Sequence, residues 1–292
     1  MFECCMKSVH YLNKCSVPRL FLASAGEAID FLVFAVREWC TLIGVCSVNR
    51  RYLRHFGLFG KEGQYALLDA KVAVIGSGGL GCSVLYNLAA AGLGEIVIVD
   101  FDRVSESDLN RQFLFENSSV QQLKVYAAKR RLNAFNPDCK IFCYPMRIQD
   151  CSEVIEGCEV VLDCTDDFKT RFYLNELCFL KRKALISAGV TGYSGYVIVL
   201  KPFVSDDSPC YRCFCPGEPE ACFKGSCEDG GVIGAAVSTI GSIQAMKVIQ
   251  EILHINPEKA GKLIFCDILN NRFRSAIIMR DPYCNVCGQR CS

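Results

Sequence analysis

The chain has 292 residues, of which 51% are hydrophobic, and its 32 basic and 31 acidic side chains leave a formal net charge of +1. This balance excludes binding that is driven by bulk charge, so neither nucleic acid nor an anionic membrane is expected as a partner. A chain of this length buries a substantial core without disulfides and accommodates one large domain, or one domain with a small appendage.

Cysteine is unusually abundant, with 21 residues. The N-terminus shows no basic stretch leading into an apolar run, so we expect no secretory signal peptide. Reduced thiols in the cytoplasm are therefore expected, mostly as small core residues. The most apolar stretch, residues 31–48, is divided by Arg37 and Glu38. Its uncharged part falls well short of the ~20 apolar residues that a bilayer requires, so no membrane contact is expected.

Two regions differ in pattern. Residues 1–49 contain no chemical motif, and we predict an N-terminal extension of unknown role with a helix within residues 25–45. From residue 50 the pattern becomes regular, and no internal repeat or low-complexity linker interrupts it. We therefore predict one domain over residues 50–292.

Short β-branched runs alternate with helical segments in the first part of this domain. Strands are predicted at residues 71–75, 95–99, 140–144, 160–164 and 184–187, and helices at 80–91, 120–134 and 168–181. This alternation predicts an α/β fold with a Rossmann-type, doubly wound, mostly parallel sheet. A C-terminal antiparallel extension is predicted from a strand at 195–200 with one solvent-facing side, a helix at 230–252, and a hairpin of 262–267 and 273–279.

The glycine pattern G-x-G-x-x-G follows the first strand as Gly76, Gly78 and Gly81. Glycine permits tight turning and close backbone approach, and the helix that starts near Leu80 offers amide donors to a phosphate. Asp100 ends the next strand, where an acid can bond ribose hydroxyls. This context predicts nucleotide binding, although the same glycines also suit a turn that only allows close packing. The loop alone does not choose between NAD and ATP.

A polar segment after the second strand supplies charges that favour ATP. Arg111 and Lys124 are cations suited to the negative charge that builds on a leaving pyrophosphate, which hydride transfer does not require. Asp166 follows the predicted strand at 160–164, where open α/β sheets place their chemistry, and its oxygens suit Mg²⁺. The alternative interpretation makes Arg111 and Lys124 solvated surface charges.

Two Cys-x-x-Cys pairs predict a metal site. Cys210 with Cys213, and Cys284 with Cys287, offer four thiolates, which are enough to close a tetrahedral shell around Zn²⁺. A closed shell leaves no position for a catalytic water, so the zinc is predicted to be structural. Chance pairing in a cysteine-rich chain is the alternative, and Cys215 is a spare thiol nearby.

These motifs, in this order, closely resemble the MoeB/ThiF/HesA family, bacterial relatives of ubiquitin-activating enzymes. The resemblance runs from about Arg51 to Gly288. It is carried by Arg51-Tyr-Leu-Arg54, Gly76–Gly81 with Cys82, Asp100-Phe-Asp102, Leu109-x-Arg-Gln112, Leu162-Asp-Cys-Thr-Asp166, Pro209-Cys-Tyr-Arg-Cys213 and Cys284-Asn-Val-Cys-Gly288.

The resemblance implies an ATP-dependent adenylyltransferase. Its acceptor would be the C-terminal glycine carboxylate of a β-grasp, ubiquitin-like sulfur-carrier protein that ends in Gly-Gly, and pyrophosphate would be released. A sulfur donor would then convert the acyl-adenylate to a thiocarboxylate, in molybdopterin, thiamine or tRNA-thiolation pathways or in cysteine-linked sulfur transfer. The resemblance alone leaves the carrier and the pathway open.

The same resemblance implies roles for individual residues. Arg54 would reach across the interface of a homodimer into the partner's site. Asp108 and Asp167 stand where the family usually has asparagine, and their charge is expected to weaken ATP binding unless Mg²⁺ or a cation compensates. The implied nucleotide-binding residues are Gly76, Gly78, Gly79, Gly81, Asp100, Asp102, Asp108, Arg111, Lys124, Asp166 and Asp167.

Sulfur chemistry is expected to need a second protein. No rhodanese-like domain follows Gly288, so a separate cysteine desulfurase or rhodanese is the expected donor. The segment Ser226-Cys227-Glu-Asp-Gly-Gly-Val232 resembles the family's crossover loop, in which a cysteine captures the activated carboxylate or forms an acyl-persulfide in some members. Glu228 and Asp229 disfavour a thiolate at Cys227. Cys222 is an alternative nucleophile, and a bystander role for Cys227 stays open.

Two other functions remain open from the sequence. An NAD(P)-dependent oxidoreductase would share the glycine loop and Asp100, but it would leave the Arg111 and Lys124 cations and the cysteine pairs without a role. A non-catalytic nucleotide-binding relative of the family is favoured by the acids at positions 108 and 167.

Overall fold

A computed structural model describes residues 50–218, 231–255 and 259–288 of the protein. Residue contacts divide the chain into two compact units, residues 1–53 and 54–292. The helix expected within residues 25–45 lies outside the described residues, and the predicted domain limits stay a prediction.

A single eight-stranded sheet organises the second unit. The strand order is β3-β2-β1-β4-β5-β6-β7-β8, parallel from β3 to β5 and antiparallel from β5 to β8. This confirms the predicted Rossmann-like α/β fold with an antiparallel extension. The strands are β1 (Lys71–Ile75), β2 (Glu95–Val99), β3 (Lys140–Tyr144), β4 (Val160–Asp163), β5 (Ala184–Thr191), β6 (Ser194–Leu200), β7 (Lys262–Asp267) and β8 (Arg272–Ile277).

Helices cover both faces of the sheet. The α-helices in the described ranges are α1 (Phe56–Asp69), α2 (Gly79–Ala91), α3 (Lys124–Phe135), α4 (Phe168–Leu180), α5 (Tyr211–Phe214) and α6 (Gly234–Leu253). Short 3₁₀ turns lie at Arg50–Tyr52, Glu106–Asp108, Asn117–Ser119, Ile148–Asp150 and Ser152–Ile155.

The apolar strands are explained by two hydrophobic cores, one on each face. Successive side chains of a strand point to opposite faces, so Val74 of β1 packs in the core that includes Leu88 of α2. Its neighbour Ala73 packs in the other core, with Leu174 of α4. Strands buried on both faces are continuous apolar runs rather than alternating ones, as the sequence of β1 shows.

Small residues allow α6 to lie close to α2. A Cβ atom at Gly241 would stand 2.7 Å from the Cβ of Ser83, so only glycine permits this helix separation. The Ser83 hydroxyl also donates to the Ser238 carbonyl at 3.0 Å. The long helix of the C-terminal region is thereby packed onto the helix that follows the glycine loop.

The structure corrects several predicted elements. The helix predicted from residue 120 begins at Lys124, because a 3₁₀ turn and an extended Leu123 precede it. The predicted strand at 184–187 continues to Thr191, because β6 pairs with it from Leu185 to Thr191. Neither α1 nor the short α5 was predicted.

The prediction of a solvent-facing side for β6 was wrong. The last four residues of β6 are all buried. The strand lies between β5 and β7, and its side chains enter both cores, with Val197 in one and Ile198 in the other.

The strand order reverses between β1 and β4. From β1 the chain proceeds to β2 and β3 on one side and returns to β4 on the other. The carboxyl ends of the strands diverge at such a switch point and open a crevice that binds ligands. The glycine loop follows β1 and residues 164–167 follow β4, so both predicted segments lie at this crevice.

Candidate functional site

The glycine loop makes the tight turn that the motif predicts. Gly76 has a φ of +91°, and a Cβ atom there would stand 2.8 Å from the Cys164 carbonyl oxygen. A Cβ atom at Gly81 would stand 2.1 Å from the carbonyl oxygen of Gly76. Helix α2 begins at Gly79 with Gly78 as its N-cap, so its first turn faces the crevice. Gly81 serves the packing of the loop.

A large cavity at the switch point brings most of the predicted nucleotide-binding residues together. Its volume is about 920 Å³, which lies in the range of small-molecule sites. Gly81 and Arg54 are not part of its lining, and Cys227 lies outside the described residues. The predicted residues that line it are Gly76, Gly78, Gly79, Asp100, Asp102, Asp108, Arg111, Lys124, Asp166 and Asp167.

Asp100 organises the loop as well as facing the cavity. Its Oδ2 accepts hydrogen bonds from the backbone N–H of Ser77 at 2.7 Å and from the Ser77 hydroxyl at 2.8 Å. Its Oδ1 accepts from the backbone N–H of Asp102 at 2.8 Å. Ser77 uses both lone pairs of Oδ2, whereas Oδ1 accepts one hydrogen bond and keeps its second lone pair for a ribose hydroxyl.

Two cations and two acids form a compact cluster at one end of the cavity. Lys124 is only 7% exposed, and its Nζ lies 3.3 Å from Asp102 and 3.8 Å from Asp108. The guanidinium of Arg111 lies 3.4 Å from Asp108. Asp108 also accepts hydrogen bonds from the Gln112 amide at 2.7 Å and from the Ser105 backbone at 2.9 Å. The charge of Asp108 is therefore matched by neighbouring cations and donors.

The two acids after β4 have different surroundings. Asp167 caps α4, because its Oδ1 accepts a hydrogen bond from the Thr170 backbone at 2.8 Å. Asp166 is exposed and lines the cavity. Its carboxylate offers hard oxygen ligands of the kind that Mg²⁺ takes.

A buried ionic network beneath the cavity was missed from the sequence. Asp163 is 1% exposed and lies 3.8 Å from Nε of Arg171. Burial opposes the charge of Arg171, but Asp163 and the neighbouring Tyr196 and Tyr211 outweigh this effect and raise its pKa. Arg171 and Tyr196 both line the cavity. A charged residue inside a helix normally indicates a surface, so the helical pattern gave no signal for this site.

A second set of missed residues lies beyond the ends of β2 and β3. The Arg147 guanidinium stands over the Phe101 ring, 3.9 Å from its centroid, and both line the cavity. Gln149 also lines it, and the Oε1 atom of Gln149 is buried without a hydrogen-bond partner among the described residues. Such an acceptor costs free energy unless a ligand donor reaches it. In the sequence, the signal that could have identified Phe101, Arg147 and Gln149 was their position after the end of a predicted strand.

The four predicted zinc ligands converge. The Sγ atoms of Cys210, Cys213, Cys284 and Cys287 all lie within 4.8 Å of one another. The Cys210–Cys284 separation is 3.6 Å and the Cys213–Cys287 separation is 3.4 Å. Tetrahedral zinc with bonds of about 2.3 Å places its sulfurs roughly 3.8 Å apart, so this donor set fits a zinc ion.

The electrostatics of the cluster favour a thiolate. Hydrogen bonding from Cys210 lowers the pKa of Cys213 and correspondingly raises that of Cys210. Cys215 is outside the cluster, and its Sγ lies 3.2 Å from the Gly217 carbonyl oxygen. The thiolate is the form that binds metal.

Other cysteines in the described ranges are core residues. Burial raises the pKa of both Cys82 and Cys139 to about 12, so both stay protonated. Within those ranges the structure places no cysteine in a disulfide. None of the helices in those ranges combines the length and the apolar character of a membrane-spanning segment. The predicted cytoplasmic location stays a prediction.

Comparison with known proteins establishes the class. The model of the ThiF family matches residues 50–286, which is most of the sequence. The chain therefore belongs to the ThiF family, and the predicted relationship to MoeB and ThiF is confirmed.

Individual relatives extend this comparison. The molybdopterin-synthase adenylyltransferase of Salmonella typhimurium is 39% identical over 243 residues, which cover 82% of this chain and 96% of that protein. The sulfur carrier protein adenylyltransferase of Thermus thermophilus is 36% identical over 233 residues, covering 78% and 86%. The adenylyltransferase and sulfurtransferase MOCS3 of Drosophila yakuba is 37% identical over 243 residues, but the chain spans only 53% of its length.

A solved structure supports the same fold. The crystal structure of E. coli MccB with ATP superposes with a TM-score of 0.72 at 25% identity, covering 82% of this chain and 75% of that one.

Proposed function

We propose that this protein adenylylates the C-terminal glycine carboxylate of a ubiquitin-like sulfur-carrier protein that ends in Gly-Gly. A carboxylate oxygen attacks the α-phosphorus of ATP, the bond from that phosphorus to the α–β bridging oxygen breaks, and pyrophosphate leaves. The observation that carries the proposal is the Arg111–Lys124 pair beside the glycine loop in one cavity. The names of the relatives from Salmonella typhimurium and Thermus thermophilus support it.

Different residues of the cavity lining are suited to different parts of ATP. The glycine loop and the start of α2 bind the phosphates, and Asp100 accepts a hydrogen bond from a ribose hydroxyl. Arg111 and Lys124 stabilise the charge that develops on the leaving pyrophosphate. Lys124 is held in place by two carboxylates, so it needs little reorganisation during the reaction. Bound Mg²⁺ would neutralise phosphate charge, and Asp166 offers the oxygen ligand for it.

The missed residues beyond β2 and β3 provide a place for the adenine base. Arg147 and Phe101 present stacked flat groups at the cavity wall. The buried Oε1 of Gln149 is an unfilled acceptor that suits the exocyclic amine of adenine. An NAD(P)-dependent oxidoreductase would leave the Arg111–Lys124 pair and the cysteine cluster without a role.

The proposal includes a homodimer and a structural zinc ion. Arg54 is exposed and does not line the cavity of its own chain. We propose that it reaches into the active site of the partner chain. Cys210, Cys213, Cys284 and Cys287 would hold Zn²⁺ in a closed shell. A separate cysteine desulfurase or rhodanese supplies sulfur, and Cys227 is the candidate for a covalent intermediate.

Pyrophosphate exchange tests the proposed activity. Purified protein should incorporate labelled pyrophosphate into ATP only with Mg²⁺ and a carrier that has an intact Gly-Gly terminus. The same carrier without its last glycine is the matched control, and it should give no exchange. Arg111→Ala should reduce exchange by roughly a hundredfold, as expected for loss of one charge-stabilising donor. Absence of exchange with every intact carrier tested would remove the adenylyltransferase proposal.

A further inference from the structure

We propose that Arg171 is a positioning residue for Asp166, and that the hydroxyl of Tyr211 holds Arg171 in its working geometry. The inference rests on the proposed function, since it assumes that Asp166 serves a metal–nucleotide complex. It adds a residue outside the cavity to the machinery of the site, because Tyr211 is 1% exposed and does not contribute to the cavity lining.

Arg171 fixes the backbone from which Asp166 projects. Its NH2 donates to the carbonyl oxygen of Thr165 at 2.5 Å and to that of Ala188 at 3.1 Å. Thr165 immediately precedes Asp166, and Ala188 lies in the neighbouring strand β5. One guanidinium therefore bridges the loop after β4 to the next strand.

Thr165 is held from its other side by Asp163. The Asp163 Oδ1 accepts hydrogen bonds from the Thr165 backbone N–H at 3.0 Å and from its hydroxyl at 2.7 Å. The Asp163 Oδ2 accepts from the Ser187 hydroxyl at 2.6 Å and faces Arg171. Asp166 is thus exposed at its tip but follows a residue whose backbone is bonded at both its N–H and its carbonyl.

Two tyrosine hydroxyls hold the other nitrogen of the guanidinium. NH1 of Arg171 donates to the Tyr196 hydroxyl at 2.5 Å and to the Tyr211 hydroxyl at 3.4 Å. The two hydroxyls are 2.9 Å apart. This arrangement orients the planar fork of arginine, which a lysine ammonium cannot reproduce.

Tyr211 is anchored to the cysteine cluster through α4. Its backbone N–H donates to the Asn175 Oδ1 at 2.6 Å, and the Asn175 amide lies 3.6 Å from Sγ of Cys210. Arg171 and Asn175 are four residues apart and share one face of the helix. One helical face therefore sets the cavity wall and the cysteine-bearing segment at a fixed spacing.

Removal of the Tyr211 hydroxyl should loosen this chain of contacts without leaving a charge unpaired. Arg171 keeps Asp163, Tyr196 and both carbonyl acceptors in a Tyr211→Phe protein, and the aromatic ring keeps its contacts with Phe172 and Phe214. Outer partners of metal-binding groups typically change metal affinity by roughly 10–100-fold. Loss of the Tyr211 hydroxyl should therefore weaken ATP binding in the presence of Mg²⁺ and leave ATP binding without Mg²⁺ unchanged.

Calorimetric ATP binding, with and without added Mg²⁺, separates positioning from general damage. Tyr211→Phe should reduce the gain in ATP affinity that Mg²⁺ brings by roughly tenfold. Its ATP affinity without Mg²⁺, its melting temperature and its zinc content should stay close to wild type. Tyr173→Phe, on helix α4 with Arg171 but outside this network, is the matched control and should keep the full gain.

Two results would overturn the inference. One is a wild-type Mg²⁺ gain in Tyr211→Phe, and the other is an equal loss of affinity with and without Mg²⁺, which a structural lesion would cause. Arg171→Lys retains the charge beside Asp163 but cannot bridge the two carbonyls, so a folded Arg171→Lys protein must show at least as large a selective loss. Wild-type pyrophosphate exchange, measured in parallel, reports separately on the proposed adenylyltransferase activity.

Discussion

Individual side chains in the cavity take their roles from partners that are distant in sequence. Asp108 is an acid at a position where the family resemblance leads us to expect asparagine, and the sequence alone indicates a cost for ATP binding. In the fold, Lys124 comes within 3.8 Å of it and Arg111 within 3.4 Å, so cations compensate the extra charge. The sequence pattern identifies which residues belong to the site. The electrostatic effect of each charge on a bound nucleotide depends on such neighbours, which only the fold shows.

Gln149 offers a prediction about base recognition. In Gln149→Leu the KM for ATP should rise by roughly tenfold, because one hydrogen bond to the adenine amine is lost. Thermal stability should not fall, since the buried Oε1 has no partner to lose among the described residues. Steady-state kinetics and a melting curve measure the two effects.

Inosine triphosphate provides the control for this substitution. It carries a carbonyl group in place of the amine, so the wild-type protein should use it less well than ATP. The variant should lose most of that preference. A variant that keeps the wild-type preference would place the adenine amine elsewhere.

At the level of elements, the strands of the parallel half of the sheet could be predicted from the sequence. The buried contacts that hold these elements together could not. β1, β2 and β3 have the predicted bounds, because β-branched runs bounded by glycine or polar residues are strong local signals. The motif residues Gly76, Asp100 and Asp166, which follow the ends of β1, β2 and β4, line the cavity at the switch point. Arg171 escaped prediction because its burial depends on Asp163 and on two tyrosines from other elements. The strand β6 was predicted, but its burial on both sides was not, because the residues that cover it are distant in the chain.

Helix α4 gives a prediction about Asp167, which caps its first turn. Asp167→Ala should destabilise the protein by about 1 kcal/mol, because the Thr170 N–H loses its acceptor. Asp167→Asn keeps the cap and removes the charge, so its stability should stay near wild type. Its affinity for MgATP should match or exceed that of wild type at low salt. Chemical denaturation and nucleotide titration measure these quantities. Equal destabilisation by both substitutions would assign the effect to charge instead of capping.

For the whole molecule, the position of Arg54 leads to a prediction about assembly. The residue is exposed and is not part of the cavity lining, so its predicted catalytic role requires a partner chain. Arg54→Ala and Asp166→Ala proteins should each be inactive as homodimers. After mixing and subunit exchange, each heterodimer should contain one intact site, and pyrophosphate exchange should recover to about a quarter of wild type if subunits pair at random. Heterodimers that form without recovery would exclude action in trans.

The cysteine cluster gives the last prediction, which concerns how the C-terminal segment is joined to the sheet. Cys210 and Cys284 are separated by 74 residues, and no described element other than the hairpin of β7 and β8 lies between α6 and the second cysteine pair. Zinc binding to four thiolates that are not prearranged in the unfolded chain contributes directly to folding free energy. Cys210→Ser should therefore lower zinc content, melting temperature and solubility together, and limited proteolysis should cut the segment after α6 first.

Cys215→Ser is the matched control, since that thiol lies outside the cluster, and it should retain about one zinc per chain. Cys227→Ser should also retain it. Well-folded wild-type protein without zinc, or zinc that survives loss of both Cys284 and Cys287, would show that the ligand assignment is wrong.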